Sequence, residues 1–251
     1  MPTPREREWK RFYRERYAED WEHFSKTLAL QEHHRRYHEA CLRHIHKANP
    51  RTILEVGVGR GDLLVQLGEG PAELFGCDIS NENLRAAASR LKELDCPAAL
   101  SHADAEQLPF RDGCFDAVYA FSVLWYLPSP ARAVAEMCRV ARPGGIVVFD
   151  MLNATHITSA AYHAARIVAR WFGRERGRTR LASPRTVRSW LAPYCSQIKV
   201  YGSYILLPAG LPVVGEKANV FHLVPNWAAA MTDSPWRYLA HKLVVVATRG
   251  K

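Results

Sequence analysis

A carboxylate two residues ahead of a Gly-x-Gly-x-Gly turn can orient a bound nucleoside. Here it reads Ile53-Leu54-Glu55-Val56-Gly57-Val58-Gly59-Arg60-Gly61, and a helix-like segment follows. Seventeen residues past Gly61 a second apolar run ends at Asp78. Strand, glycine turn, helix and acid-ended strand place a nucleoside at the carboxyl edge of a parallel sheet. A dinucleotide fingerprint wants a third glycine where this chain has Asp62. An acid there opposes a pyrophosphate on the helix N-terminus, so the expected ligand lacks phosphate. Glu55 beside the turn suits a ligand with positive charge. Asp78 can accept hydrogen bonds from both hydroxyls of a ribose.

Further signals follow in order. Ser101-His102-Ala103-Asp104-Ala105-Glu106-Gln107-Leu108-Pro109-Phe110 closes a third apolar run, Asp112-Gly113-Cys114-Phe115-Asp116-Ala117-Val118 enters a fourth, and Arg142-Pro143-Gly144-Gly145 precedes a fifth. Taken together, the series resembles the S-adenosylmethionine-dependent methyltransferases of the Rossmann-like class, in the small-molecule branch of the ubiquinone and menaquinone methyltransferases. The resemblance covers roughly residues 50 to 155 well and the rest loosely. It implies S-adenosylmethionine as cofactor. It implies that Gly57, Gly59 and Gly61 let the backbone approach the methionine part, which Glu55 supports. Asp78 then takes the ribose, Asp104 takes the adenine amino group beside Ala105, and Ile79 and Phe121 complete the cofactor-binding set.

Methyl transfer from a sulfonium is an in-line displacement that needs few catalytic side chains. His156, after the fifth strand, is the candidate general base towards a hydroxyl. Trp125 and Tyr126 follow the fourth strand, where related enzymes meet their acceptor; they are candidate substrate contacts and equally candidate core aromatics. Tyr17 and Trp21, at i and i+4 on an N-terminal helix, are candidate substrate contacts in a lid. His33, His34, His38, His44 and His46 read as a solvated helix face. Arg35 and Arg36 would repel a cation there, so no metal site is expected. The segment after the fourth strand, Phe121 to Pro128, lacks the Asn/Asp-Pro-Pro-Tyr/Phe pattern of enzymes that methylate nucleobase amines.

The elements that must position these residues are legible from period and punctuation. Residues 5 to 48 read as helix, stopped by Pro50. Strands fall near 52–57, 73–78, 97–102, 115–121 and 145–151, and helices near 61–68, 81–94 and 130–141, a β/α alternation that implies parallel strands with right-handed crossovers. Ser80 or Asn81 caps the second of these helices, and Ser183-Pro184 opens a later one. Strands near 198–207 and 242–248 would close the sheet as an antiparallel pair, by the same resemblance. The expected fold is α/β: a Rossmann-like seven-stranded sheet, mostly parallel with an antiparallel final strand, helices on both faces and helical lid elements. Its parts are an N-terminal helical lid segment (1–50), the S-adenosylmethionine-binding core (51–155), and a lid insertion with the C-terminal strands (156–251).

Composition bounds the rest. The 251 residues are 48% hydrophobic, enough for one full core. No run reaches the ~18 apolar residues of a membrane span, and Met1 to Glu8 has no signal-peptide core. Six scattered cysteines without a Cys-x-x-Cys pair point to free thiols and a cytoplasmic setting. The net charge of +9 permits nucleic acid or a peripheral contact with an anionic membrane without requiring either. Arg174, Arg176, Arg178, Arg180, Arg185 and Arg188 read first as an exposed connector, second as a binding patch. The function expected is methylation of a small, largely apolar acceptor, oxygen first. The alternatives are an RNA methyltransferase that uses the basic 174–188 segment, and a non-catalytic S-adenosylmethionine-binding partner protein. Oligomeric state is not encoded in any of these signals.

Overall fold

The computed structural model describes residues 28–156, 159, 179–205 and 235–251. Tyr17, Trp21, Arg174, Arg176, Arg178 and the segment 208–234 lie outside the described residues, as does most of the start of the expected lid insertion, 157–178. The elements run α1 (Leu28–Ala48), β1 (Thr52–Val56), α2 (Asp62–Leu67), β2 (Glu73–Asp78), α3 (Asn81–Glu93), β3 (Ala98–His102), β4 (Phe115–Ala120), α4 (Pro130–Val140), β5 (Ala141–Leu152), α5 (Pro184–Leu191), β6 (Cys195–Ile205) and β7 (Ala240–Arg249).

The seven strands form one sheet in the order β3-β2-β1-β4-β5-β7-β6. Strands β1 to β5 pair in parallel, and β7 is antiparallel to both β5 and β6. A parallel sheet buries both faces, so its strands read as continuous apolar runs. Alternate residues divide between two cores. Leu54, Val56, Val118, Val147, Phe149 and Val245 pack under α4 and α5. Ile53, Ala117, Tyr119, Val148 and Val244 pack under α1, α2 and α3. Helices therefore cover both faces, as the alternation requires.

Start signals behave as their chemistry dictates. The Ser80 hydroxyl accepts from the Asn83 amide at 3.3 Å and caps α3; the Ser183 hydroxyl accepts from the Thr186 amide at 3.1 Å and caps α5. Strand β5 begins at Ala141, four residues earlier than expected. Its entry holds Gly144 at φ +76°, and its register against β4 shifts between Phe115 and Ala117. The glycine pair ahead of the fifth apolar run is absorbed as a strand irregularity. No described helix is long and apolar enough to cross a membrane. All six cysteines are free of disulfides; Cys138 and Cys195 bring their sulfurs to 3.8 Å.

Candidate functional site

The carboxyl ends of β1, β2, β3 and β4 open onto one cavity of about 310 Å³, within the size range of small-molecule sites. The turn after β1 forms its floor. Gly57, Gly59 and Gly61 all have positive φ, at +79°, +53° and +82°. The Gly57 and Val58 amides both donate to the Cys77 carbonyl, at 2.7 and 2.9 Å, which pins the turn to the end of β2. A Cβ on Gly57 would fall 2.3 Å from a Val123 methyl, whereas one on Gly59 would meet nothing within 4 Å. Gly59 thus presents bare backbone in a conformation that L side chains rarely adopt.

Asp78 ends β2 and is 9% exposed. One carboxyl oxygen accepts from the Gly59 amide at 2.9 Å; the other accepts from the Ser80 amide at 2.8 Å and the Asn83 side chain at 3.4 Å. These donors orient it before any ligand arrives. Burial raises its pKa, and the Ser80 and Gly59 amides oppose that. Glu55 is 3% exposed, and the Tyr119 hydroxyl donates to it at 2.9 Å. Burial pushes Glu55 well above the usual carboxylate range, against the pull of Tyr119. Asp104 lies on the bend after β3, where it accepts from the Glu106 amide at 3.0 Å. Asp62 heads α2 and pairs with Arg90 at 3.0 Å across exposed side chains.

Glu55, Gly57, Gly59, Asp78, Ile79, Asp104, Ala105, Phe121 and Tyr126 all line this cavity. Gly61 shapes the turn but does not line it. Acids Glu55, Asp62, Asp78, Glu82 and Asp104 share the wall with a single arginine, Arg60, among the described residues. That balance fits a ligand with positive charge and no phosphate, which answers the expectation drawn from Asp62. Phe121, Val123, Tyr126, Leu127 and Pro128 make the remaining wall apolar.

Of the two readings open for Trp125, the core one holds, and His156 stands away from the cavity. Trp125 does not line the cavity. It is 5% exposed in the core under α4, and Lys242 sits 4.8 Å above its ring. Residues 124–126 form a 3₁₀ turn, so neighbouring side chains diverge and only Tyr126 faces the cavity. His156 does not line it either. Strand β5 ends at Leu152, and Asn153 then turns the chain by donating to the carbonyls of Arg237, Tyr238 and Ala240. His156 lies buried beyond that turn, its ring 5.3 Å from that of His241.

The expected solvated helix face contributes one residue to the cavity. His38 on α1 belongs to the wall, its ring 6.3 Å from Phe121. The solvated-face reading fails there and also at His44, which is half-buried against Tyr201; only His46 is exposed among the three. The buried stripe Tyr37, Cys41, Leu42 and Ile45 on the same helix was the available signal. Burial and the charge of Lys242 push the His38 imidazole down to about 4, so it is neutral at physiological pH.

Beside His38 the Tyr37 hydroxyl donates to buried Asp150 at 2.9 Å. Lys242 reaches the same carboxyl oxygen at 3.5 Å and lies 4.8 Å above the Tyr37 ring. The other Asp150 oxygen accepts from the Ser122 amide at 2.6 Å. Ser122 lines the cavity at φ +61°, a strained conformation for serine. Asp150 therefore ties α1, β7 and the exit of β4 together at the cavity edge.

Residues 54–149 match a methyltransferase domain family. The chain is 36% identical over 104 residues to a ubiquinone biosynthesis O-methyltransferase of Alkalilimnicola ehrlichii, covering 41% of this chain and 42% of that relative. It is 41% identical over 98 residues to a phosphatidylethanolamine N-methyltransferase of Cereibacter sphaeroides, covering 38% and 48%. The matches thus span less than half the length of these relatives. In fold it is similar to the magnesium protoporphyrin IX methyltransferase of Synechocystis PCC 6803 with bound SAH, with a TM-score of 0.65 and 12% identity over 98% of this chain and 99% of that one. Residues 54–149 thus resemble, in sequence as well as in fold, the methyltransferase domain of S-adenosylmethionine-dependent, Rossmann-like enzymes, the ubiquinone O-methyltransferases among them.

Proposed function

We propose that this chain is an S-adenosylmethionine-dependent methyltransferase acting on a small, largely apolar molecule. The observation that carries the reading is the acid-lined cavity over the left-handed glycine turn, with Asp78 oriented in advance by the Gly59 and Ser80 amides. S-adenosylmethionine supplies an activated methyl group on a sulfonium. Asp78 would hold the ribose, Asp104 and Ala105 the adenine end, and Glu55 the charged methionine end behind Gly57 and Gly59. The bare backbone at Gly59 admits that approach. The residues present fit the group: acids face its positive charge, and among the described residues Arg60 is the single arginine or lysine in the wall.

Oxygen is the acceptor atom we favour. The β4 side of the cavity is apolar and carries an imidazole, where a protonated amine would call for a carboxylate. The apolar wall suits a hydrophobic acceptor, over which α1, with the residues before it and the segments 156–182 and 208–238, is proposed to form a lid. Titration calorimetry tests the cofactor: S-adenosylmethionine and SAH should bind, and NAD should give no heat. Tight NAD binding would sink the reading. Methyl transfer from labelled cofactor across an acceptor library then separates an enzyme from a non-catalytic binding protein, which would bind cofactor and release no product.

A further inference from the structure

The order of strands fixes where a sulfonium would lie. The acids proposed for ribose and adenine stand at the ends of β2 and β3, on one side of β1. A nucleoside held by them can extend its methionine end only across β1 towards β4. His38 enters the cavity on that β4 side, beside Phe121. The tie from Tyr37 to Asp150, one residue earlier on α1, fixes the register that brings it there.

Resting on the function proposed above, we propose that His38 is the base that takes the proton of the acceptor hydroxyl as its oxygen is methylated. The acceptor oxygen forms the new O–C bond with a lone pair. The S–C bond breaks and leaves its electrons on sulfur, which becomes a neutral thioether. The hydroxyl proton passes to the His38 imidazole and returns to water after product leaves. The imidazole is neutral at rest because it is buried near Lys242, although the same surroundings make it a weak base. Its conjugate acid is strong, so it serves acidic hydroxyls, phenolic or enolic, better than aliphatic alcohols. This places on α1 the role expected of His156.

Two measurements on the full chain decide it. The first uses cofactor labelled with ¹³C in its methyl group and needs no acceptor. Cross-relaxation between that methyl and the His38 ring protons is expected, and should vanish in His38→Gln. Bound cofactor without this signal overturns the role of His38 and leaves the proposed function standing; failure of cofactor to bind overturns both. The second is methyl transfer to a phenol panel that includes catechol. His38→Ala and His38→Gln should keep cofactor affinity within about twofold and lose about 10²–10⁴-fold in kcat. Added imidazole should restore part of the rate in His38→Ala. Unchanged kcat in both variants, or no transfer by the parent to any phenol with cofactor bound, overturns the proposal.

Discussion

At the scale of single residues, Asp78 does more than wait for a ligand. Each of its oxygens already accepts a backbone amide, one from Gly59 in the glycine turn and one from Ser80 at the start of α3. Asp78→Ala should weaken cofactor binding by about 1.5–3 kcal/mol, the usual worth of a hydrogen bond to a charged group. Asp78→Asn should fare no better despite its shape, because its NH₂ must face the Gly59 or the Ser80 amide, donor against donor. Calorimetry that finds the Asn variant at parental affinity would contradict this. Gly59→Val should fold and fail to bind, since its side chain enters open cavity from a strained backbone; parental affinity would show that the turn does not face the ligand. Glu55 carries a pH signature. Its folded pKa is raised by burial, above an ordinary value of about 4.3. Between those values the folded state holds the extra proton, so the Glu55 contribution to stability is full at low pH and is lost as pH rises through the raised value. Glu55→Gln stays neutral and should gain stability relative to the parent as pH rises from the ordinary carboxylate value towards the raised one. Urea denaturation across that range checks it, and a pH-independent difference would refute it.

At the scale of elements, the tie at Asp150 is the joint to test. Lys242 and Asp150 are 5% and 0% exposed, and two rings flank the lysine amine. Lys242→Met leaves a buried carboxylate without its cation and should cost about 3–5 kcal/mol of stability near neutral pH. The cost should shrink in acid, where Asp150, its pKa raised by burial, takes up a proton. Tyr37→Phe should cost less, because Asp150 keeps Lys242 and the Ser122 amide. Equal losses in the two variants by urea denaturation would mean that the ion pair is not the dominant contact. The strands, the helix caps at Ser80 and Ser183, and the acids that surround the cavity were legible because each is set by neighbours within a few residues. His38 was not: its helix is dense in charge, and the partner that reveals its role, Phe121, is remote in sequence. His156 misled because proximity to the end of β5 ignores the turn that Asn153 builds out of carbonyls from residues 237–240. Trp125 and Tyr126 left two readings open, because only the 3₁₀ turn that sends adjacent side chains apart decides between them.

At the scale of the whole molecule, charge separates the two acceptor classes. The cavity wall is acidic while the chain carries +9 overall, so basic residues lie elsewhere. Arg180 is exposed, and its main-chain amide donates to the Trp125 carbonyl at 2.7 Å, a bond that survives side-chain replacement. If the stretch is the exposed connector expected above, replacing Arg174, Arg176, Arg178 and Arg180 by Ser should leave cofactor affinity and turnover of a soluble acceptor within about twofold, since such charges contribute little. An RNA substrate would behave otherwise: binding by the parent would fall steeply with salt, and the slope would flatten by about one unit per lost phosphate contact. Filter binding over a salt series distinguishes them, and salt-steep RNA binding abolished in the Ser variant would overturn the small-molecule reading.

The position of β7 has a consequence during synthesis. A ribosome makes β6 before β7, yet β7 lies between β5 and β6 and bonds to both. Until it emerges, the nascent chain holds Ile146-Val147-Val148-Phe149 along an unpaired edge, a template for pairing with another chain. Lys242 arrives with the same strand, so Asp150 waits without its cation until the sheet closes. A chain released at residue 239 should therefore pellet as aggregate, whereas co-expression with a peptide of residues 240–251 should return part of it to the supernatant.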